Sequence, residues 1–526
     1  MLNALLLAAL IVAHDPGYYT SLANHVQRWL RQEQVAARVV TPREMPSALP
    51  KERLAFLVGF ASPSSAELKT LRDFRARGGK LVVFHSASPA LADLMGVKPV
   101  GYAAAPAPGA YSRMAFAAGV LAGAPAAIRQ TSTVLQRARP VAGRSRVIAT
   151  WADRAGRSTG EPAWLASDAG FWMTHVLLAD GDEDQKARLL GALVGAVDPS
   201  AWSLAAHRRR VSAKAAETRA YALRQVPRAG EIHATWDHSG CGLYPGDWAK
   251  TLRVLREARV TDLFVNVAGA AFAHYPSDVL PRSKTFVQEG DQLAACLAAA
   301  RGTGVRVHAW MICFSATRGT PATLEDYQRR GWRLKTPKGA LTEYLAPSHP
   351  QVRARVLAAL DELQARYPSL AGLHLDFVRW GDAAAKPKNA ATVVTQFVAE
   401  ARRRVKRPKW LTAAVYGKYP ACVATVGQDW YGWLDAGLVD YLVPMDYTES
   451  NATFEELLAL QATPRSRARR IIVGIGVTAN ESRLDARRVI EQINLVRKYG
   501  FAGEALFDLD TTLEKSIFPY LKLGIW

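Results

Sequence analysis

From Glu231 to Trp526 the sequence alternates, eight times over, between a strand-like segment and a helix-like one. The strand candidates are residues 232–236, 262–267, 305–314, 372–378, 410–416, 440–445, 470–475 and 503–508. Between them lie stretches with apolar residues at helical spacing, among them 247–257, 291–301, 350–367, 391–405 and 485–499. Eight such units in about 295 residues is the arithmetic of a closed (β/α)8 TIM barrel. The whole chain is 526 residues, so a barrel leaves room for a second domain.

That second domain precedes the barrel. Strand-like segments at 10–13, 37–40, 54–58 and 81–85, with helical stretches at 19–34 and 65–77, predict an open-sheet, flavodoxin-like α/β domain over residues 1–200. Residues 201–228, reading RRRVSAKAAETRAYALRQ in their middle, predict a basic connector helix, and residues 229–526 the barrel. The apolar run 4–13 is ten residues, too short to span a bilayer. It suits either a shortened export signal, residues 1–13, or a first strand; the former implies a periplasmic or extracellular protein, the latter a cytoplasmic one.

Composition removes several function classes. Hydrophobic residues make up 49% and charged residues 21%, which excludes a disordered or collagen-like chain. The formal charge is +21, and residues 1–228 carry 29 basic against 16 acidic groups, so the excess is spread rather than gathered in a tail. Such a charge favours an anionic partner, whether nucleic acid, polysaccharide or membrane surface; no basic segment is interleaved with aromatics in a nucleic-acid module, so nucleic acid is not expected. Cys241, Cys296, Cys313 and Cys422 show no CxxC spacing, and metal ligands are not clustered; neither a metal nor another cofactor is expected.

In a barrel the C-terminal strand ends converge on one mouth. That rule selects Trp236, Asp237 and His238 after strand 1, Asn266 on strand 2, and His308, Trp310 and Cys313 on strand 3. It adds His374, Asp376 and Arg379 around strand 4, Tyr416 on strand 5, Asp446 and Tyr447 after strand 6, and Glu504, Asp508 and Asp510 around strand 8. Two carboxyl groups flanking a bond are what glycoside cleavage needs, one to protonate the leaving oxygen and one to attack the anomeric carbon or activate water. Asp376 and Asp446 end alternate strands, so both are expected to face the mouth, Asp376 as nucleophile or charge stabiliser and Asp446 as acid/base. Glu504 and Asp237 are rival acid/bases. The bland alternatives are a salt bridge to Arg379 for Asp376, a loop cap for Asp446, and core hydrogen bonding for His308 and His374.

The motifs VHAWMICF (307–314), GLHLDFVRW (372–380), DAGLVDYLVPMDY (435–447) and GIG followed by GEALFDLD resemble, in that order, the glycosyl-hydrolase-like family 10 proteins. The resemblance covers roughly residues 231–520 and implies a TIM-barrel glycoside hydrolase acting on a bacterial cell-wall or other, even acidic, glycan. Trp236, Asp237, Asn266, His308, Trp310, His374, Arg379, Tyr416 and Tyr447 are then expected to bind the polysaccharide or oligosaccharide, the aromatic ones by stacking. The long connection 315–347, with Trp332, Lys335 and Glu343, reads as a lid or subsite loop. HATWDHSGCG on strand 1 and VNVAGAAFAHYP on strand 2 depart from the family's usual pattern.

The stretch LRDFRARGGKLVVFHSASPALADLMG (71–96) resembles glutamine-amidotransferase-like domains. Where those enzymes carry a nucleophilic Cys on a tight elbow, this chain reads Phe84-His85-Ser86-Ala87-Ser88. Thioester chemistry is therefore expected to be absent. Packing, homo-oligomerisation or ligand contact remain for this domain, and a non-catalytic glycan-binding scaffold remains for the chain as a whole.

Overall fold

The computed structural model describes residues 9–14 and 17–526. The chain divides into two compact units, Met1–Lys214 and Ala215–Trp526, with the boundary inside one long helix, Leu204–Leu223. Most of the expected export segment, residues 1–8, lies outside the described residues; the rest of it, Ala9–Ala13, is a fully buried strand. Among the described residues no helix is long and apolar enough to cross a membrane.

The first unit is a nine-stranded mixed open sheet. Its parallel half runs Ala37–Val40, Ala9–Ala13, Leu54–Val58, Lys80–Phe84 and Gly170–Met173. These strands are largely apolar because helices Tyr18–Gln32 and Glu183–Val197 on one side, and Ser65–Ala76 and Pro89–Leu94 on the other, contribute to two separate cores. The sheet then continues antiparallel through Ser158–Ser167, Ser145–Ala152, Tyr111–Phe116 and Ala127–Ser132. A separate ribbon pairs Val97–Ala104 with Val134–Pro140. Sequence patterning missed most of this antiparallel half, whose strands alternate buried and exposed residues in polar stretches such as AIRQTS.

The second unit is a closed barrel of eight parallel strands. In chain order they are Ile232–Asp237, Asp262–Gly269, Arg306–Ile312, Gly372–Asp376, Trp410–Tyr416, Tyr441–Met445, Ile472–Gly476 and Gly503–Phe507, referred to below as barrel strands 1 to 8. Strands and outer helices share one large core, and a smaller one fills the barrel from inside. The interior core includes Ile232, Ala234, Trp236, Phe264, Trp310, Val443, Ile472 and Ala505. The pairing register extends that parity around the ring: Trp310 lies beside His374, His374 beside Thr412, Tyr416 beside Met445, and Gly476 beside Phe507. Even-numbered residues point inward on strands 1 to 5 and 7, odd-numbered ones on strands 6 and 8.

Polar side chains occupy part of this interior. Asp262 is fully buried, accepting from Arg306 (2.7 Å) and lying 2.8 Å from His308 Nε2. Burial alone pushes its carboxyl up, yet the bonds to His308 and Arg306 outweigh it and hold Asp262 below the usual carboxylate range. On the outer face, Glu504 Oε1 accepts from Trp526 Nε1 (2.6 Å) and lies 2.8 Å from His233 Nδ1, while the His233 and Trp526 rings stack at 4.8 Å. This lock ties Trp526 across strands 1 and 8. Trp526→Ala is expected to lower barrel stability by about 3 kcal/mol, because it opens a cavity and strips a donor from a buried carboxylate; the unfolding midpoint in urea, followed by far-UV circular dichroism, measures it.

Candidate functional site at the barrel mouth

Asp376 is the last residue of barrel strand 4 and points inward. It is 5% exposed, accepts from Trp310 Nε1 (3.1 Å) and from the Phe377 backbone N–H (2.6 Å), and lies 3.7 Å from Arg379 Nη1. Burial raises its carboxyl above the ordinary value, against the pull of Arg379, the Phe377 amide, Trp310 and His238. Phe377, which follows it, has a left-handed backbone (φ +46°). The turn brings the Phe377 ring under the Arg379 guanidinium (3.8 Å), with Tyr416 4.6 Å away on another side. Arg379 Nε and Nη1 are buried without a hydrogen-bond partner. The expected Asp376–Arg379 ion pair is therefore present, at 3.7 Å and without a hydrogen bond between the two.

Beneath Asp376 lies a packed aromatic floor. Trp236 donates its Nε1–H to His374 Nε2 (3.0 Å), which leaves the His374 proton on Nδ1, facing Thr412 Oγ1 (2.8 Å). Burial, then the neighbouring His308, keeps His374 neutral, with a pKa well below the usual one. Tyr447 meets Trp236 edge-on at 6.4 Å and stacks on Phe507 at 5.3 Å. The GIG motif of strand 7 makes room for these rings: a Cβ on Gly474 would come within 3.1 Å of Trp236 Cη2, and one on Gly476 within 2.8 Å of Tyr447 Cβ.

Three more groups complete the rim. His238 is exposed at one edge, its ring 5.7 Å from Trp310 and its Nε2 3.1 Å from Arg318 Nη2; desolvation of the ring and the Arg318 charge lower its pKa. Tyr416 donates to Asp382 Oδ1 (2.9 Å). Asp508, just past strand 8, is partly exposed and bonded to Thr478 Oγ1 (2.8 Å), with its carboxyl raised by burial. The Tyr447 phenol is pushed far above its ordinary pKa by burial and then by the charges of Asp376, Glu481, Asp508 and Asp446.

The structure corrects several sequence expectations. Asp446 follows an odd-inward strand and turns away from the mouth, accepting from Gln461 Nε2 (2.9 Å) on an outer helix, 1% exposed. Glu504 is likewise on the outer face of strand 8, in the His233–Trp526 lock at the opposite end of the barrel. Asp237 is outward and fully buried, consumed by its own loop through the amides of Ser239, Gly240 and Gly242 and the Ser239 hydroxyl. His308 sits deep in the barrel against Asp262 and Trp410, and Trp236 and His374 are sealed in the floor, so these three support the site from below.

Asn266, Trp310, Arg379, Tyr416 and Tyr447 do gather with Asp376 on the inward face. Asn266 is fully buried on strand 2, with neither side-chain polar atom bonded to the protein. Loop 315–347 contributes Arg318 and Tyr344, the latter stacked on Phe377 at 6.2 Å, whereas Trp332 is 3% exposed against Tyr327. Arg318, Tyr344 and Asp382 were missed because loop residues carry no periodicity that would aim them. Cys313 and the other three cysteines are buried and unpaired. A cavity of about 300 Å³, lined by Arg306, Trp410, Tyr441 and Arg469 among others, opens at the N-terminal end of the barrel, away from this chemistry.

No protein-family model matches the chain, and no curated protein matches it in sequence. Solved structures similar to it include α-L-fucosidase isoenzyme 2 from Paenibacillus thiaminolyticus (14% identity, 56% of this chain and 48% of that one, TM-score 0.40). The catalytic domain of β-amylase from Paenibacillus polymyxa aligns at 10% identity over 57% of this chain and 98% of that one, TM-score 0.41. A ThuA-like protein from Bacteroides uniformis aligns at 14% identity over 36% of this chain and 92% of that one, TM-score 0.29. This chain thus spans about half the length of the fucosidase.

Proposed function

We propose that the barrel hydrolyses glycosidic bonds of a polysaccharide or oligosaccharide, with Asp376 as the carboxylate that attacks or stabilises the anomeric centre. The observation that supports this most is Asp376 itself, a buried, inward-facing strand-end carboxylate held by an indole and an amide. A developing oxocarbenium charge is what such a preorganised anion favours. Asp508 is the partner we assign as proton donor: although it lies one residue past odd-inward strand 8, its charge reaches the Tyr447 phenol, and burial raises its carboxyl as a general acid requires. Trp310, Tyr416 and Tyr447 offer aromatic surface for sugar C–H faces. The charge of +21 would suit an acidic glycan, and such a substrate would put the protein in the periplasm or outside the cell.

A non-catalytic glycan-binding barrel is the second reading. It gains from the outward orientation of Asp446 and Glu504, which takes two expected carboxylates out of the mouth. Reducing-end release from a panel of bacterial and algal polysaccharides separates the two. Activity on one of them, lowered about 10³-fold or more in Asp376→Asn and about 10²-fold in Asp508→Asn, is the expected result. Glycan binding with no release by the wild type would favour the scaffold.

The pH dependence has a definite sign. Asp376 must be ionised to act, and its pKa is raised, so activity falls on the acid side at a pH above the ordinary Asp value. Arg379 opposes that rise; in Arg379→Gln the acid limb of kcat/KM should therefore move to higher pH. Asp446 gives a contrast in stability rather than rate. Burial raises its carboxyl to about 7, above its unfolded value, so its contribution to stability is full at low pH and is lost as pH rises towards 7. Asp446→Asn should be more stable than wild type by about 2 kcal/mol at pH 8, with the gap closing by about pH 4 and kcat within about threefold of wild type; urea titrations at several pH values and initial rates check both halves.

A further inference from the structure

Five non-glycine residues among those described have a left-handed backbone: Gln34, His85, Asp182, Arg259 and Phe377. Gln34 and Arg259 lie just beyond helix C-termini, where that conformation is common, and Asp182 is the N-cap of Glu183–Val197, its carboxylate bonded to Arg129. The other two directly follow the C-terminal ends of parallel strands. Phe377 shapes the barrel site, and His85 (φ +47°) follows Lys80–Phe84 in the open sheet of the first unit. Strained backbone at a strand end is a device found at functional sites, and open α/β sheets bind ligands beyond the carboxyl ends of their strands.

His85 is not alone there. Gly170–Met173 runs parallel beside Lys80–Phe84, the His85 amide donates to Met173 O (3.1 Å), and His175 follows two residues later. The two imidazole rings lie 5.6 Å apart, and Tyr102, 64% exposed, stands edge-on 6.3 Å from His85. His175 Nδ1 is 2.9 Å from Val176 O, which can only accept, so His175 carries its proton there and its Nε2 is a lone-pair acceptor. His85 Nε2 is buried with no hydrogen-bond partner. Burial lowers both pKa values, so the pair is neutral. Ser86, the nearest hydroxyl in sequence, is fully buried, donating to Phe60 O (2.5 Å) and accepting from the Ser88 amide, and serves the turn rather than a ligand.

The surroundings narrow the ligand. The charge that reaches His175 is the Asp180 carboxylate, itself paired with Lys186 at 2.7 Å, and Arg137 and Arg139 are both engaged by Glu161. These three cations are already paired with carboxylates, which disfavours an anionic ligand. Among the described residues no group of three or more His, Cys, Asp or Glu could hold a metal ion. What remains is uncharged imidazole edges, able to accept and donate, beside an exposed aromatic ring. That combination recognises a neutral polyhydroxylated ring, whose hydroxyls bond the imidazoles and whose C–H face packs on the tyrosine.

We propose that His85, His175 and Tyr102 form a sugar-binding site in the first unit, separate from the barrel mouth and independent of whether the barrel is catalytic. Hydrogen–deuterium exchange of the full chain, read by mass spectrometry with and without D-glucose, D-galactose, D-mannose or N-acetyl-D-glucosamine, tests it. At least one sugar should slow exchange about threefold or more in peptides covering 85–88 and 174–178. His85→Asn, which tolerates the left-handed backbone, should abolish that protection, with His175→Gln as a second variant should the first not fold. Asp376→Asn should leave it intact, and barrel peptides report the mouth separately. Exchange unchanged by every sugar, or slowed equally by inorganic phosphate or zinc alone, would overturn the proposal.

Discussion

A closed eight-stranded barrel admits one inward parity per strand, and everything at the mouth follows from that constraint. Because each strand is hydrogen-bonded on both sides, no strand can slip by a residue without turning its whole inner face outward. The ring of pairings therefore puts Trp236, Asn266, Trp310, Asp376, Tyr416 and Phe507 on one inward face. Carboxylates one residue out of phase, Asp237, Asp446 and Glu504, are diverted into a loop, an outer helix and the C-terminal lock.

The interior that this parity creates is polar along part of its length. Arg306, Asp262 and His308 form a hydrogen-bonded chain from the N-terminal end, and Trp236, His374 and Thr412 form another above it. Phe264 lies between them, 5.2 Å from His308 and 4.3 Å from His374. Such groups are costly to bury unless paired, and nearly all of their atoms are. The result is a floor whose rings have fixed orientations, against which Trp310 presents its N–H to Asp376.

The barrel and the parallel half of the open sheet were legible because their strands are apolar runs separated by amphipathic helices. The inward parity was not. YLVPM and IVGIG carry apolar residues on both faces and show no alternation, so nothing in the sequence said whether Asp446 or Tyr447 faced the axis. Asp376 shares the inward face with His374 and Trp310, whereas Arg318, Tyr344 and Asp382 come from loops. The His85 elbow was visible as a motif, but only the backbone angle distinguished the turned imidazole from the packed Ser86.

In the proposed glycosidase, Asp376 is the carboxylate that meets the scissile sugar. The most direct measurement is a crystal structure of Asp376→Asn with an oligosaccharide taken from whichever polysaccharide the wild type cleaves. The sugar is predicted to lie over Trp310 and Tyr447, with its anomeric carbon beside the substituted side chain at the end of strand 4 and its leaving oxygen towards Asp508. A sugar seated against Asp446 and Gln461, or at the N-terminal end of the barrel near Arg306 and Trp410, would contradict it.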